Sequence, residues 1–327
     1  MKEIINPKQN YLIVLSIFFF SIFTTNVSAA KIRSIWYKGF KYVYIEDVAS
    51  FYGMNFIRNN KYCVLSSKYS KIKFNYGAKR TNINNVVVYT SYPVVVFKVG
   101  NSQPALLNEK DFILLLDPIL RKNVLVKHNV KTVVIDPGHG GKDPGALGRY
   151  STEKDLVLSI SRKLAKILIR SGYKVILTRN RDVFLSLESR PVVCERFGGD
   201  IFISIHANAV KSQSVEGIEA FIYAPEGTAS TYGGSLADSE KGNKYSKNNT
   251  RLGYDIQKQL SLMQSPDRGL KHSRFKVLKL SPVPAVLIEL GFISSPSEEY
   301  LLRQEKYQDM LAYRIARGIV LYSKNVK

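Results

Sequence analysis

The sequence predicts an α/β fold in which a mostly parallel sheet is flanked by helices, preceded by a small β-rich α+β domain. Three observations lead there. The chain has 327 residues, room for two domains of about 100–200 residues each. Its composition, 45% hydrophobic and 23% charged with 12 prolines, excludes a disordered, collagenous or multi-span membrane chain. The pattern also changes at His128: short β-rich runs follow one another before it, and strands alternate with helices after it.

Residues 1–29 read as a signal peptide. Lys2 and Lys8 precede the apolar run from Tyr11 to Phe23, and Val27-Ser28-Ala29 follows, with small residues where a signal peptidase requires them. The run is shorter than the roughly 20 residues that span a bilayer, so no stable membrane anchor is expected after cleavage. The chain is thus expected to be exported, to a bacterial periplasm or to the cell wall and medium. Its 48 Lys and Arg exceed its 26 Asp and Glu by 22. An exported chain of this charge is expected to meet anionic wall polymers, peptidoglycan carboxylates or lipid head groups, with no nucleic-acid partner. Cys63 and Cys194 lie in different predicted domains, and no disulfide is implied.

Residues 30–128 form the small basic domain. Tyr42-Val-Tyr-Ile45, Tyr62-Cys-Val-Leu65, Asn85-Val-Val-Val-Tyr89 and Pro93-Val-Val-Val-Phe97 read as strands. Helices are expected over 46–52 and over 110–120, the second interrupted at Pro118. A structural spacer and a wall-binding module both fit this segment.

Residues 129–327 form the second domain. Strands are expected at Thr132-Val-Val-Ile135, 173–178, 201–205, 217–223, near Phe275-Lys-Val-Leu278 and at Ala285-Val-Leu-Ile288. Helices are expected over 153–171, 187–197, 250–263 and 297–322, from apolar residues at helical spacing such as Leu156, Ile160, Leu164 and Ile167. The segment 226–249, rich in Gly, Ser, Asn and Lys, reads as a long loop that is either a cleft wall or lid or a tolerated insertion.

Candidate chemistry starts at Asp136-Pro-Gly-His-Gly-Gly-Lys-Asp-Pro-Gly-Ala146, a Gly-rich loop after a strand, where open α/β sheets place their ligands. Its spacing fits neither the dinucleotide nor the P-loop pattern. What remains is His139 in a glycine turn, a ligand or merely a packed ring. His206 ends a second strand toward the same sheet edge. Glu153 opens a helix, where a carboxylate complements the dipole or, alternatively, points into the same cleft. Two histidines and a carboxylate are the ligand set of a catalytic zinc site. Glu289 is embedded in the apolar run Pro284–Ile293 and needs a partner, either a structural ion pair with Arg268 or a catalytic environment.

Four segments together resemble the zinc-dependent N-acetylmuramoyl-L-alanine amidases of bacterial cell walls. They are Gly138-His-Gly-Gly-x-Asp-Pro-Gly-Ala146 with Glu153-Lys-Asp155, Leu177-Thr-Arg179 with Asp182, Ser204-Ile-His-Ala-Asn208, and Ile288-Glu-Leu-Gly-Phe292. The resemblance covers nearly all of residues 131–323. It implies one zinc ion per chain held by His139, Glu153 and His206, catalysis by Glu289, and a supporting role near the metal for Glu219. Asn208 and Arg268 are candidates for substrate binding. The implied reaction is hydrolysis of the amide between N-acetylmuramic acid and L-alanine in peptidoglycan, for wall remodelling or cell separation. A zinc peptidase cutting within the stem peptide and a catalytically silent wall-binding protein are the alternatives. More diffusely, residues 30–128 resemble the copper-amine-oxidase-like N-terminal domain of envelope hydrolases; with His128 alone at its edge, no copper is expected.

Overall fold

The computed structural model describes residues 32–98 and 100–327; the signal-peptide segment lies outside them. The N-terminal part contains β1 (Ser34–Tyr37), β2 (Phe40–Tyr44), α1 (Ile45–Phe51), β3 (Asn55–Arg58), β4 (Tyr62–Ser66), β5 (Lys71–Asn75), β6 (Arg80–Ile83), β7 (Val86–Tyr89), β8 (Val95–Val96), β9 (Ala105–Asn108), α2 (Glu109–Asp111) and α3 (Asp117–Leu120). The second part contains β10 (Thr132–Pro137), α4 (Glu153–Arg170), β11 (Lys174–Leu177), α5 (Ser189–Phe197), β12 (Ile201–Asn208), β13 (Ile218–Tyr223), α6 (Ser246–Leu260), β14 (Asp267–Ser273), α7 (Lys276–Lys279), β15 (Ala285–Phe292), α8 (Pro296–Arg303) and α9 (Glu305–Val326).

An eleven-stranded sheet in the order β11-β10-β12-β15-β13-β14-β7-β6-β5-β4-β3 runs through both parts. In the second part β10 pairs in parallel with β11 and β12, β12 with β15, and β13 with β14, whereas β13 meets β15 antiparallel. The sheet is therefore mixed. The antiparallel meander β3 to β7 extends it, joined through Val88 opposite Leu270. Strands β10, β13 and β15 are buried along their whole length, as strands covered on both faces must be. A small second sheet holds β1, β2, β9 and β8.

The main core lies under α4, α6 and α9, and the inner residues of the meander, such as Leu65, Ile72, Phe74 and Val88, belong to the same cluster as Ile135 and Ile288. The opposite face carries a smaller cluster with Val277, Leu278, Phe202 and Phe221. Cys63 and Cys194 are buried and free, and burial pushes each thiol up to about 12.

Three expected elements differ. The strand expected near residues 275–278 is the short helix α7, and the strand lies upstream, at β14. Its sequence, Asp-Arg-Gly-Leu-Lys-His-Ser, hides the assignment because its polar side chains are buried against specific partners rather than solvated. The single C-terminal helix is two: Gln304 is extended, and α8 has its own cap, Ser295, which accepts from the Glu298 N–H. Pro118 does not break its helix either. Residues 112–116 widen into a π turn, and the Thr250 hydroxyl donates to the Leu114 carbonyl at 2.7 Å, a donor in place of the N–H that proline lacks.

Candidate metal centre

The strand ends bring His139, Glu153 and His206 together: one ligand atom from each lies within 4.8 Å of the others. His139 stands in the loop after β10 with φ +58°, a left-handed conformation rare outside glycine. The surroundings hold it there. Gly140 and Asp143 exchange backbone hydrogen bonds, Arg190 donates to the His139 carbonyl at 2.8 Å, and Arg179 donates to the Gly138 carbonyl at 2.6 Å. Asp182 accepts from the Gly141 N–H and pairs with Lys154. The Arg179 and Asp182 positions of the sequence motif thus clamp the loop.

Glu153 opens α4 but is buried, so its carboxylate serves the cleft rather than a solvated helix end. Its Oε1 is 3.1 Å from His139 Nε2 and 2.9 Å from His206 Nδ1, and it accepts from the Ala207 N–H; Oε2 accepts from the Ala146 N–H. Burial alone would raise its pKa, but the two imidazoles outweigh this and hold it well below the usual carboxylate range. Asp143, which the sequence reasoning passed over, sits 2.8 Å from His139 Nδ1 and leaves Nε2 turned toward Glu153. A carboxylate four residues beyond the histidine was the available clue. Burial opposes a charged His139, yet Glu153 and Asp143 raise its pKa above the ordinary value. The residues fit a metal: two imidazole nitrogens and a carboxylate oxygen converge, and one ring is braced by a second carboxylate, the usual outer support of a ligating histidine.

Strand register adds the acid. Glu289 on β15 stands opposite His206 on β12 and opposite Glu219 on β13. Desolvation first, then the charges of Glu153 and Glu219, raise its pKa well above the ordinary value. The ion pair with Arg268, one of the two alternatives for Glu289, is not formed among the described residues. Arg268 Nε donates to Glu219 Oε2 at 2.8 Å, and Asn208 donates to Glu219 Oε1 at 3.1 Å. Lys271, a buried cation inside β14, also bonds Glu219, and it donates to the Tyr232 hydroxyl at 2.5 Å. Lys271 escaped the sequence reading because β14 did. Tyr232 belongs to the 226–249 segment, which folds back on β14: Thr231 and His272 exchange hydrogen bonds. Leu147, Tyr150, Val210, Ile293 and Tyr300 help to line a cleft of about 640 Å³, the size of a small-ligand site, whose walls include none of the three candidate ligands.

A sheet whose strand ends gather two histidines and a glutamate, with a second buried glutamate alongside, defines a candidate metal centre, and the chain belongs to the N-acetylmuramoyl-L-alanine amidase family, whose model matches residues 133–320. It is 32% identical over 217 residues to the amidase AmiC of Escherichia coli O6:H1, a match covering 58% of this chain and 52% of AmiC. The chain thus spans about half of that relative's length. It is 39% identical over 193 residues to YqiI of Bacillus subtilis, covering 59% of this chain and 84% of YqiI. Among solved structures, an N-acetylmuramoyl-L-alanine amidase from Clostridium difficile 630 is 36% identical and covers 60% of this chain and 97% of its own, with a TM-score of 0.51. Among the described residues no helix is long and apolar enough to cross a membrane.

Proposed function

We propose that this chain is an exported zinc amidase that hydrolyses the bond between N-acetylmuramic acid and the L-alanine of the peptidoglycan stem. One observation carries the reading beyond family membership. Glu289 lies in register with the ligand His206, and its Oε2 has no hydrogen-bond partner among the described residues. His139, Glu153 and His206 would hold the ion. When bound, zinc supplies Lewis acidity toward the scissile carbonyl and lowers the pKa of water to about 7.

The chain's own groups do the rest. Asp143 fixes the His139 ring and Glu153 is anchored by two backbone N–H groups, so the ligand atoms are set before substrate arrives. Glu289 Oε2 is the atom that takes a proton from the attacking water and returns it to the leaving nitrogen, since it is buried beside His206 and no other group occupies it. Glu219, held by Arg268, Lys271 and Asn208, keeps its charge compensated beside Glu289. Asn208 and Arg268 act first through Glu219, and contact with substrate is proposed as their second role. The basic residues 30–128 are proposed to hold the enzyme on anionic wall material.

The test is mass spectrometry of purified peptidoglycan digested by residues 30–327, with metal stripped and zinc restored. Amidase action releases glycan free of peptide together with intact stems. Shortened stems still attached to glycan would establish the peptidase alternative, and no release would leave a silent wall-binding protein.

A further inference from the structure

From residue 48 to residue 108 the chain has no Asp or Glu and eight Lys or Arg. The ion pairs of the described residues before His128 are Arg33 with Asp47, Lys41 with Glu109, Arg58 with Glu46 and Arg121 with Asp117; Lys71, Lys73 and Arg80 form none, although the charge of Arg80 reaches Asp267. Strand alternation puts these three on one side. In β5 Ile72 and Phe74 are buried while Lys71 and Lys73 are exposed, and in β6 Thr81 and Ile83 are buried while Arg80 is exposed. With Asn75, Asn82 and Asn85 they line a depression of about 340 Å³.

Register carries that side into the catalytic strands. Lys73 faces Asn82, and Arg80 faces Tyr89. Val88 faces Leu270, so Tyr89 stands beside Lys271, whose Nζ is 5.4 Å from the Tyr89 ring centre. Lys271 faces Phe221, two residues from Glu219, and Glu219 faces Glu289. Because side chains alternate along every strand, His206, Glu289, Lys271, Tyr89, Arg80 and Lys73 all project from one face of the sheet. From β12 to β5 is six strand spacings, or about 29 Å at ~4.8 Å each.

A lysine on an outward strand face ordinarily just keeps an edge soluble. Here the edge is β3, two strands farther out, and solubility is served by mixed charge, whereas the meander strands, residues 55–89, carry cations and no carboxylate. We propose that it is a docking track for the peptidoglycan strand being cut, on which Lys71, Lys73 and Arg80 pair with carboxylates of neighbouring stem peptides while one stem reaches the metal centre. The inference rests on the amidase reading and names where its polymeric substrate lies.

The test compares the parent chain with Lys71→Gln/Lys73→Gln/Arg80→Gln. A control of equal charge change, Lys122→Gln/Lys166→Gln/Lys324→Gln, lies at exposed positions away from this face. Each is assayed by co-sedimentation with peptidoglycan stripped of phosphate-bearing polymers, and by kcat/KM on that material and on a soluble disaccharide-peptide. The track variant should lose about tenfold in kcat/KM on the polymer, through KM and less at high salt, and should sediment less, with the soluble fragment cut as before. The control should match the parent. Unchanged polymer kinetics and sedimentation, or an equal loss in the control, would overturn the track. So would a binding loss seen only on walls that retain phosphate polymers, which would make those the partner. If the parent cuts neither substrate, the amidase reading fails by itself, and sedimentation on stripped peptidoglycan still decides the track.

Discussion

Glu289 and Glu219 face each other across the antiparallel β13–β15 pairing, yet all the cations there bond to Glu219. The two carboxylates are thereby divided. Glu219 is paired to Arg268 and Lys271, whereas Glu289 is left with an open oxygen in a buried place. Two like groups in unlike surroundings are how a protein gives the same side chain two different roles.

Glu289→Gln should therefore keep its metal and lose turnover by roughly a hundredfold to ten-thousandfold. The amide preserves shape and removes the proton acceptor. Elemental analysis alongside kcat checks both halves, and wild-type turnover would leave Glu289 a structural residue.

Asp143→Ala should weaken zinc binding by about tenfold to a hundredfold while the fold persists, because the residue braces a ligand without being one. His139→Ala should lose metal and activity together. Competitive titration with a chelator measures both variants, and equal zinc affinity in Asp143→Ala and the parent would remove Asp143 from the centre.

Gly138→Ala tests how closely the loop approaches the second histidine. A Cβ there would fall 2.2 Å from His206 Cε1, closer than any real contact, so the imidazole must move. Metal affinity should fall by at least about tenfold, with the thermal transition little changed. A zinc affinity equal to the parent's would show that the ring can swing aside without cost.

His272 offers a pH dependence distant from the metal. Burial, then the charge of Lys79, lowers its pKa to about 4 from the ordinary 6.5. The unfolded chain therefore takes up this proton first as pH falls. Stability present above pH 6.5 should be lost progressively toward pH 4, by up to about 3 kcal/mol for this group. Urea unfolding of the metal-free protein across that range should show a shallower slope for His272→Gln; an identical slope would mean that the buried ring finds a proton acceptor on folding.

Much of this was legible in the chain. The three residues that the structure brings together were readable because each sits at a boundary that sequence marks well, His139 in a glycine loop, Glu153 at a helix start and His206 at a strand end, and Glu289 stood out as an acid in an apolar run. What was hidden depends on contacts made at long range. Asp267, Lys271 and His272 make β14 look like a loop, because a polar strand is recognisable only once Val87, Glu219 and Thr231 are seen to satisfy it. Pro118 looked like a helix break because the hydroxyl that compensates for it belongs to Thr250. The junction of the meander with the sheet rests on residues 88 and 270, a pairing that no local pattern announces.

That junction also sets an order of events. The hairpins from β3 to β7 are made of neighbours in sequence and can close as soon as they are synthesised, but their apolar underside shares its core with Tyr254, whose hydroxyl reaches the Ile83 carbonyl from α6. Until about 170 further residues have arrived, the cluster that holds Leu65, Ile72 and Phe74 has only its N-terminal contributors, such as Ile45, Val48 and Leu115, to cover it. An early part of the chain is thus among the last to be finished, and while it waits for α6 its positive side already faces water, so that copies meeting on that side repel one another.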